Sequence, residues 1–154
     1  MQPLDYSGAL DYLIGLGTRH KQIKESRSGS FDPDPKGASK WPLFFIEEEP
    51  EASELNPGAD IFSFAFQILT KPERQGGTPT RVMLQQMKVL GDQLVEQIRR
   101  ENMVVLHNKP SKLAIAGTGS DSLTTGWRYE VQLQVINSLD RQTNEDHFEP
   151  LPTA

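Results

Sequence analysis

A chain of 154 residues with 16 basic and 21 acidic side chains carries a formal charge of -5 and contains no cysteine. Length sets the scale of about one domain, able to bury roughly 68–70% of its unfolded surface. The absence of cysteine excludes a disulfide framework and any thiolate metal site. The acidic balance disfavours stable DNA or RNA binding, because such affinity comes largely from neutralising phosphates. With 12 Gly and 11 Pro the chain reads as long loops around a modest core.

In chain order, residues 1–5 lack the charged and apolar regions of a secretion signal, and no apolar run approaches the length of a membrane span, so a soluble, intracellularly made protein is expected. Asp5 to Leu16 reads as a short helix capped by Asp5 or Ser7, with Leu10, Leu13 and Ile14 on one face and Gly17 as its stop. Thr18 to Lys40 is a long polar loop with Phe31 as its anchor and room for a short strand at Gln22 to Ser26. Trp41 to Glu47 is a dense aromatic strand, entered through Pro42. Glu47 to Gly58 reads as an acidic, proline-bearing loop.

Ile61 to Leu69 places Phe62, Phe64, Phe66 and Ile68 on one face of a third strand. Lys71 to Thr78 turns into the main helix, with Thr78 as N-cap and Pro79 at the first helical position. That helix carries apolar residues at 83, 87, 90, 94 and 98, the stripe of a helix lying on a sheet, and ends near Asn102. Met103–His107 and Lys112–Ala116 read as an interrupted strand or a hairpin, and Gly117–Gly126 as a flexible tip. From Trp127 to Asn137, large apolar residues fall at 127, 129, 131, 133 and 135 with polar ones between, which specifies a strand with one dry and one wet face. The sum predicts an α+β domain over 1–137, with a mainly antiparallel sheet, a long helix on one face and a short N-terminal helix. An extended or mobile tail follows over 138–154.

No residue constellation identifies a reaction. Gly117–Ser122 resembles a phosphate loop only superficially, since it leads into a strand and no lysine follows. Asp32–Gly37 lacks the ligands of a calcium loop. His20, His107 and His147 stand at no metal-ligand spacing, and no Gly-x-Ser-x-Gly anchors a nucleophile. The phenylalanines at 62, 64 and 66 read as core, not as a base-stacking platform. Glu47, Glu48, Glu49, Glu51 and Glu54 read as a solvated rim or an acidic docking edge. No catalytic residue, metal or cofactor is expected. Two alternatives stand: a small metal-dependent hydrolase or nucleotide-processing enzyme using the Glu47–Glu54 carboxylates, and a cytosolic adaptor binding a peptide at a sheet edge.

The order of elements resembles the tail-terminator, or tail-completion, proteins of long-tailed bacteriophages. The resemblance covers Asp5 to about Asn137: an N-terminal helix, an arm-like loop, the strand through Trp41-Pro42-Leu43-Phe44-Phe45-Ile46, the strand Phe62–Leu69, the long helix, and a last strand opened by Leu123-Thr124-Thr125-Gly126-Trp127-Arg128. It implies a non-enzymatic virion protein of the tail or neck, assembled in the host cytoplasm as a ring of six. The ring would sit on the tail tube protein and receive the head-completion or connector protein. DNA would pass through without specific binding, and an acidic lumen would let it slide. A ring subunit needs exposed contact loops, supplied by 18–40, 71–78 and 117–126. Phe31, Glu47, Glu48, Glu49, Arg74, Ser120 and Asp121 are the candidate interface residues.

Overall fold

The computed structural model describes residues 3–30, 39–48, 51–71, 80–116, 124–137 and 146–152. Its elements are α1 (Tyr6–Arg19), β1 (Glu25–Gly29), β2 (Leu43–Glu47), β3 (Glu51–Asn56), β4 (Ala59–Thr70), α2 (Thr80–Glu101), β5 (Val105–Leu106), β6 (Ser111–Ala116) and β7 (Thr125–Ile136). The fold is α+β, as the periodicities predict.

β4 and β7 are the spine. They pair antiparallel over their whole length, from Ala59 opposite Ile136 to Thr70 opposite Thr125. Each carries a strand in two pieces on its outer edge. β2 and β3 lie end to end along β4, and β5 and β6 lie end to end along β7. The interrupted-strand reading of 103–116 is the correct one. Asn108 bridges the break by accepting the Gln132 N–H at 3.0 Å. β1 lies outside β2 and is parallel to it, the one parallel pair among the described strands.

The dry face forms as the alternation dictates. Phe44 and Ile46, Phe62 to Ile68, and Tyr129 to Val135 send every second side chain into one apolar cluster. α2 closes it with Met87, Leu90, Leu94 and Ile98 of the predicted stripe, joined by Val95, while Met83 of the same stripe is buried beside it; α1 adds Ala9, Leu13 and Leu16. Phe66 stacks on Tyr129 with ring centroids 5.1 Å apart and meets Phe44 edge-on at 5.0 Å. Such pairs add directional preference to area burial. Asn102 takes the left-handed conformation at φ 55°, ending α2 where expected.

Three expectations need correction. Asp5 caps α1 by accepting the Gly8 N–H at 2.7 Å, but Gly17 does not stop the helix, which runs on to Arg19. Gly17 serves close packing instead, since a side chain there would collide with the Phe44 ring and the Ser26 hydroxyl. The segment after Glu47 is not loop throughout: β3 is a strand with all six residues exposed. Periodicity could not reveal it, because neither face is apolar. Its signal was the turn Asn56-Pro57-Gly58-Ala59, with Gly58 at φ 94°. Proline second and a positive-φ glycine third is the signature of a type II turn joining antiparallel neighbours. Third, the arm over 18–40 is half absorbed into the fold, and its strand is shifted to Glu25–Gly29. The Thr78–Pro79 helix start lies outside the described residues.

Candidate assembly interface

Alternation sends Glu47, Gln67, Arg128 and Glu130 to the face opposite the helices. Gln67 lies directly opposite Arg128 in the β4–β7 register, and Glu47 ends the neighbouring β2. Arg128 donates from Nε to Glu47 Oε2 at 2.7 Å and from Nη2 to Glu47 Oε1 at 3.2 Å, a two-point grip. Its Nη1 reaches Glu130 Oε1 at 2.5 Å, while Gln67 donates to Glu47 Oε2 at 3.1 Å. Burial by itself would raise the Glu47 carboxyl, but the hydrogen bonds from Arg128 and Gln67 and the Arg128 charge outweigh it and hold it below the usual carboxylate range. The same contacts, led by the hydrogen bond to Glu47, push the Arg128 guanidinium up.

An open groove of about 340 Å³ lies beside this web, lined by Glu51, Ser63, Ala65, Asn108, Arg128 and Gln132 among others. Of its charged lining residues, Arg128 and Glu130 are paired with each other, and the carboxylates just outside it are engaged as well. Glu47 is held by Arg128, and Glu48 accepts the Ser28 hydroxyl at 2.6 Å while its N–H bonds the Gly29 carbonyl at 2.9 Å. A divalent cation would have to displace Arg128 from Glu47. Among the described residues no group of three His, Asp or Glu side chains is placed to hold a metal ion. Glu51 and Glu54, which lie on β3, make no ion pair among the described residues.

Two further carboxylates act as clamps on the helix side. Asp92 receives Lys88 Nζ at 2.7 Å, Lys112 Nζ at 2.6 Å and the Tyr129 hydroxyl at 2.8 Å, tying α2 to β6 and β7. Its burial raises the carboxyl, and the three donors more than reverse that, bringing it to about 2. Glu101 receives Arg19 from two nitrogens, the Tyr12 hydroxyl at 2.8 Å and Gln97 at 3.0 Å, tying α1 to the end of α2. The Arg19 hydrogen bond is the main reason its carboxyl falls to about 2. Both hydroxyls beside these carboxylates are driven well above the ordinary tyrosine range, chiefly by burial.

Of the candidate interface residues, Glu47 and Glu48 fall at the end of β2 and are engaged within the fold. Phe31, Glu49, Arg74, Ser120 and Asp121 lie outside the described residues. The residues that organise the polar face, Arg128 and Gln67, were visible as wet positions of alternating strands. Their partner was not, because Glu47 and Arg128 are 81 positions apart. No protein-family model matches the chain, and no curated protein matches it significantly. Among the described residues, no helix is long and apolar enough to cross a membrane.

Proposed function

We propose that this chain is a structural subunit of a phage tail terminator, a ring of six that caps the tail tube and joins it to the head connector. The observation that carries the reading is a sheet with two unlike free edges. On one side β3 stands beside β4 with all six residues exposed and no second neighbour among the described strands. On the other side β5 and β6 have β7 alone as partner. A ring needs one patch that meets a different patch on the next subunit, and two chemically distinct edges are a natural source of such a heterologous contact. The two carboxylates with the most donors around them on the sheet, Glu47 and Asp92, are meanwhile engaged in ion pairs inside the subunit. The order of helix, arm, strands, long helix and closing strand agrees with the family resemblance.

The test is native mass measurement of the protein alone and with purified tail tubes, followed by imaging of tube ends. Rings of six at one end are the expected result. A stable monomer that never decorates tubes overturns the reading, and would favour an adaptor that takes a peptide strand along the free edge of β3.

A further inference from the structure

The two most exposed large apolar side chains of the described residues lie together near the C-terminus: Phe148 at 71% and Leu151 at 90%. They sit in Asp146-His147-Phe148-Glu149-Pro150-Leu151, an acidic setting. Asp146 and Glu149 make no ion pair among the described residues. Exposed apolar residues scattered singly need no explanation, but a phenylalanine and a leucine three positions apart on a short acidic segment form a compact apolar pair flanked by carboxylates.

The same chain carries a groove of matching chemistry. Between α2 and the turn that follows α1 lies an open cleft of about 530 Å³. Its floor is Met87, Leu90 and Pro42, its wall is the exposed Val89, and its rim is Lys21 and Lys24. No acidic residue lines it. The two lysine side chains make no ion pair among the described residues, so their charge is free to meet a carboxylate. An apolar floor under a cationic rim is the complement of two apolar anchors flanked by Asp146 and Glu149.

We infer that the C-terminal segment of one copy docks into the α2 groove of the next, Phe148 and Leu151 entering the cleft while Asp146 and Glu149 face Lys21 and Lys24. The occupant is a second copy because the chain's own tail does not fill the site. β7 leaves the sheet at Ile136, the end away from Leu43 and the neighbouring Pro42 of the cleft, and both anchors stand in solvent. Exchange of a terminal segment between identical subunits costs little and links neighbours in one direction, as a ring requires. The inference thus rests on the ring reading and names the contact that would lock it.

The absence of cysteine makes the test clean. In full-length protein, His147→Cys is mixed with a second preparation carrying Gln86→Cys at the groove rim, and both are oxidised gently in the presence of tail tubes and without them. A disulfide-linked pair should form at least about tenfold faster than in a control mixing His147→Cys with Glu54→Cys, given the local concentration that docking supplies. Placing both cysteines in one chain should yield a ladder of linked copies. Adding Lys21→Glu and Lys24→Glu should return the rate to the control level, and Asp146→Lys with Glu149→Lys on the tail should restore it. A rate equal to the control, or a closed monomer from the doubly substituted chain, overturns the inference. Rings on tube ends without the 86–147 link would leave the terminator reading standing and remove this contact. The link without rings would keep tail exchange and remove the terminator.

Discussion

The two faces of the β4–β7 spine are built by opposite means. Toward the helices, Phe64, Phe66, Tyr129, Val131 and Leu133 are buried in the cluster that α1 and α2 cover, and stability there comes from area removed from water. On the other face, Gln67, Arg128, Glu130 and Glu47 hold one another through directed hydrogen bonds at partial exposure. The first face tolerates no loss of volume. The second tolerates rearrangement provided no partner is left alone. Were the chain the ring subunit proposed, that difference would place contacts at the polar web around Arg128 and at the edges, not on the helix-covered face.

The largest effect should come from the dry face. Leu94, 1% exposed at the centre of the α2 stripe, should cost roughly 2–5 kcal/mol when changed to alanine. Leu113, 66% exposed on β6, should cost less than about 0.5 kcal/mol for the same change. Urea unfolding of both variants measures the contrast. Equal costs would mean that α2 does not close the core.

On the polar face, Arg128→Met should destabilise by about 1–3 kcal/mol, because it leaves the partly buried Glu47 carboxylate without its two-point partner. Adding Glu47→Gln should recover much of that loss, since the orphaned charge is then gone. A double-mutant cycle by denaturant unfolding reads the coupling. Additive losses would show that Arg128 acts through packing of its stem and not through Glu47.

How much of this was legible follows from the range of each interaction. Period two in Trp127–Val135 and the 83–98 stripe of α2 are local patterns, so the strand, the helix and the buried faces could be read directly. Lys88 and Asp92, four apart on a helix, were equally within reach of the sequence. β3 is hard to read because its six residues carry no apolar period, and only the turn that follows it marks a strand pair. Gly17 reads as a helix stop but serves packing, because conformational freedom and close approach call for the same residue. Arg128 with Glu47, and Arg19 with Glu101, join elements 81 and 82 positions apart, and no spacing rule foretells them. The candidate contacts rested on loop character and family resemblance, and the two described ones, Glu47 and Glu48, proved to have partners inside the subunit.

Acid should separate the faces from the clamps. Asp92 and Glu101 have folded-state values near 2, below the roughly 3.9 and 4.3 of free side chains. A depressed carboxyl binds its proton more readily in the unfolded chain, so it contributes stability that is fully present above the unfolded value. That contribution fades as pH falls through the window from about 4 to 2. Unfolding free energy should therefore drop across that window, and Asp92→Asn with Glu101→Gln should flatten the drop while lowering stability at neutral pH. An unchanged acid limb in the double variant would place the acid sensitivity in other carboxylates.

The smallest expected effect is the response to divalent cations, and it decides between the structural reading and the metal-dependent hydrolase. An ion that binds only the folded chain raises its stability by RT ln(1 + [L]/Kd), about 2.7 kcal/mol at a hundredfold excess over Kd. The hydrolase needs such an ion among the Glu47–Glu54 carboxylates. Glu47 offers it little, since both oxygens already take charge-assisted bonds from Arg128, and Glu48 is bonded to Ser28. Glu51 and Glu54 remain on β3, exposed strand residues with water as their competitor for any cation. Millimolar Mg²⁺, Mn²⁺ or Ca²⁺ should accordingly leave the melting temperature unchanged beyond the effect of matched ionic strength. A saturable rise in melting temperature, abolished by Glu48→Gln or Glu51→Gln, would reverse the assignment. It would mean that the acidic strand gathers around an ion and that the polar face is a site after all, not an assembly surface.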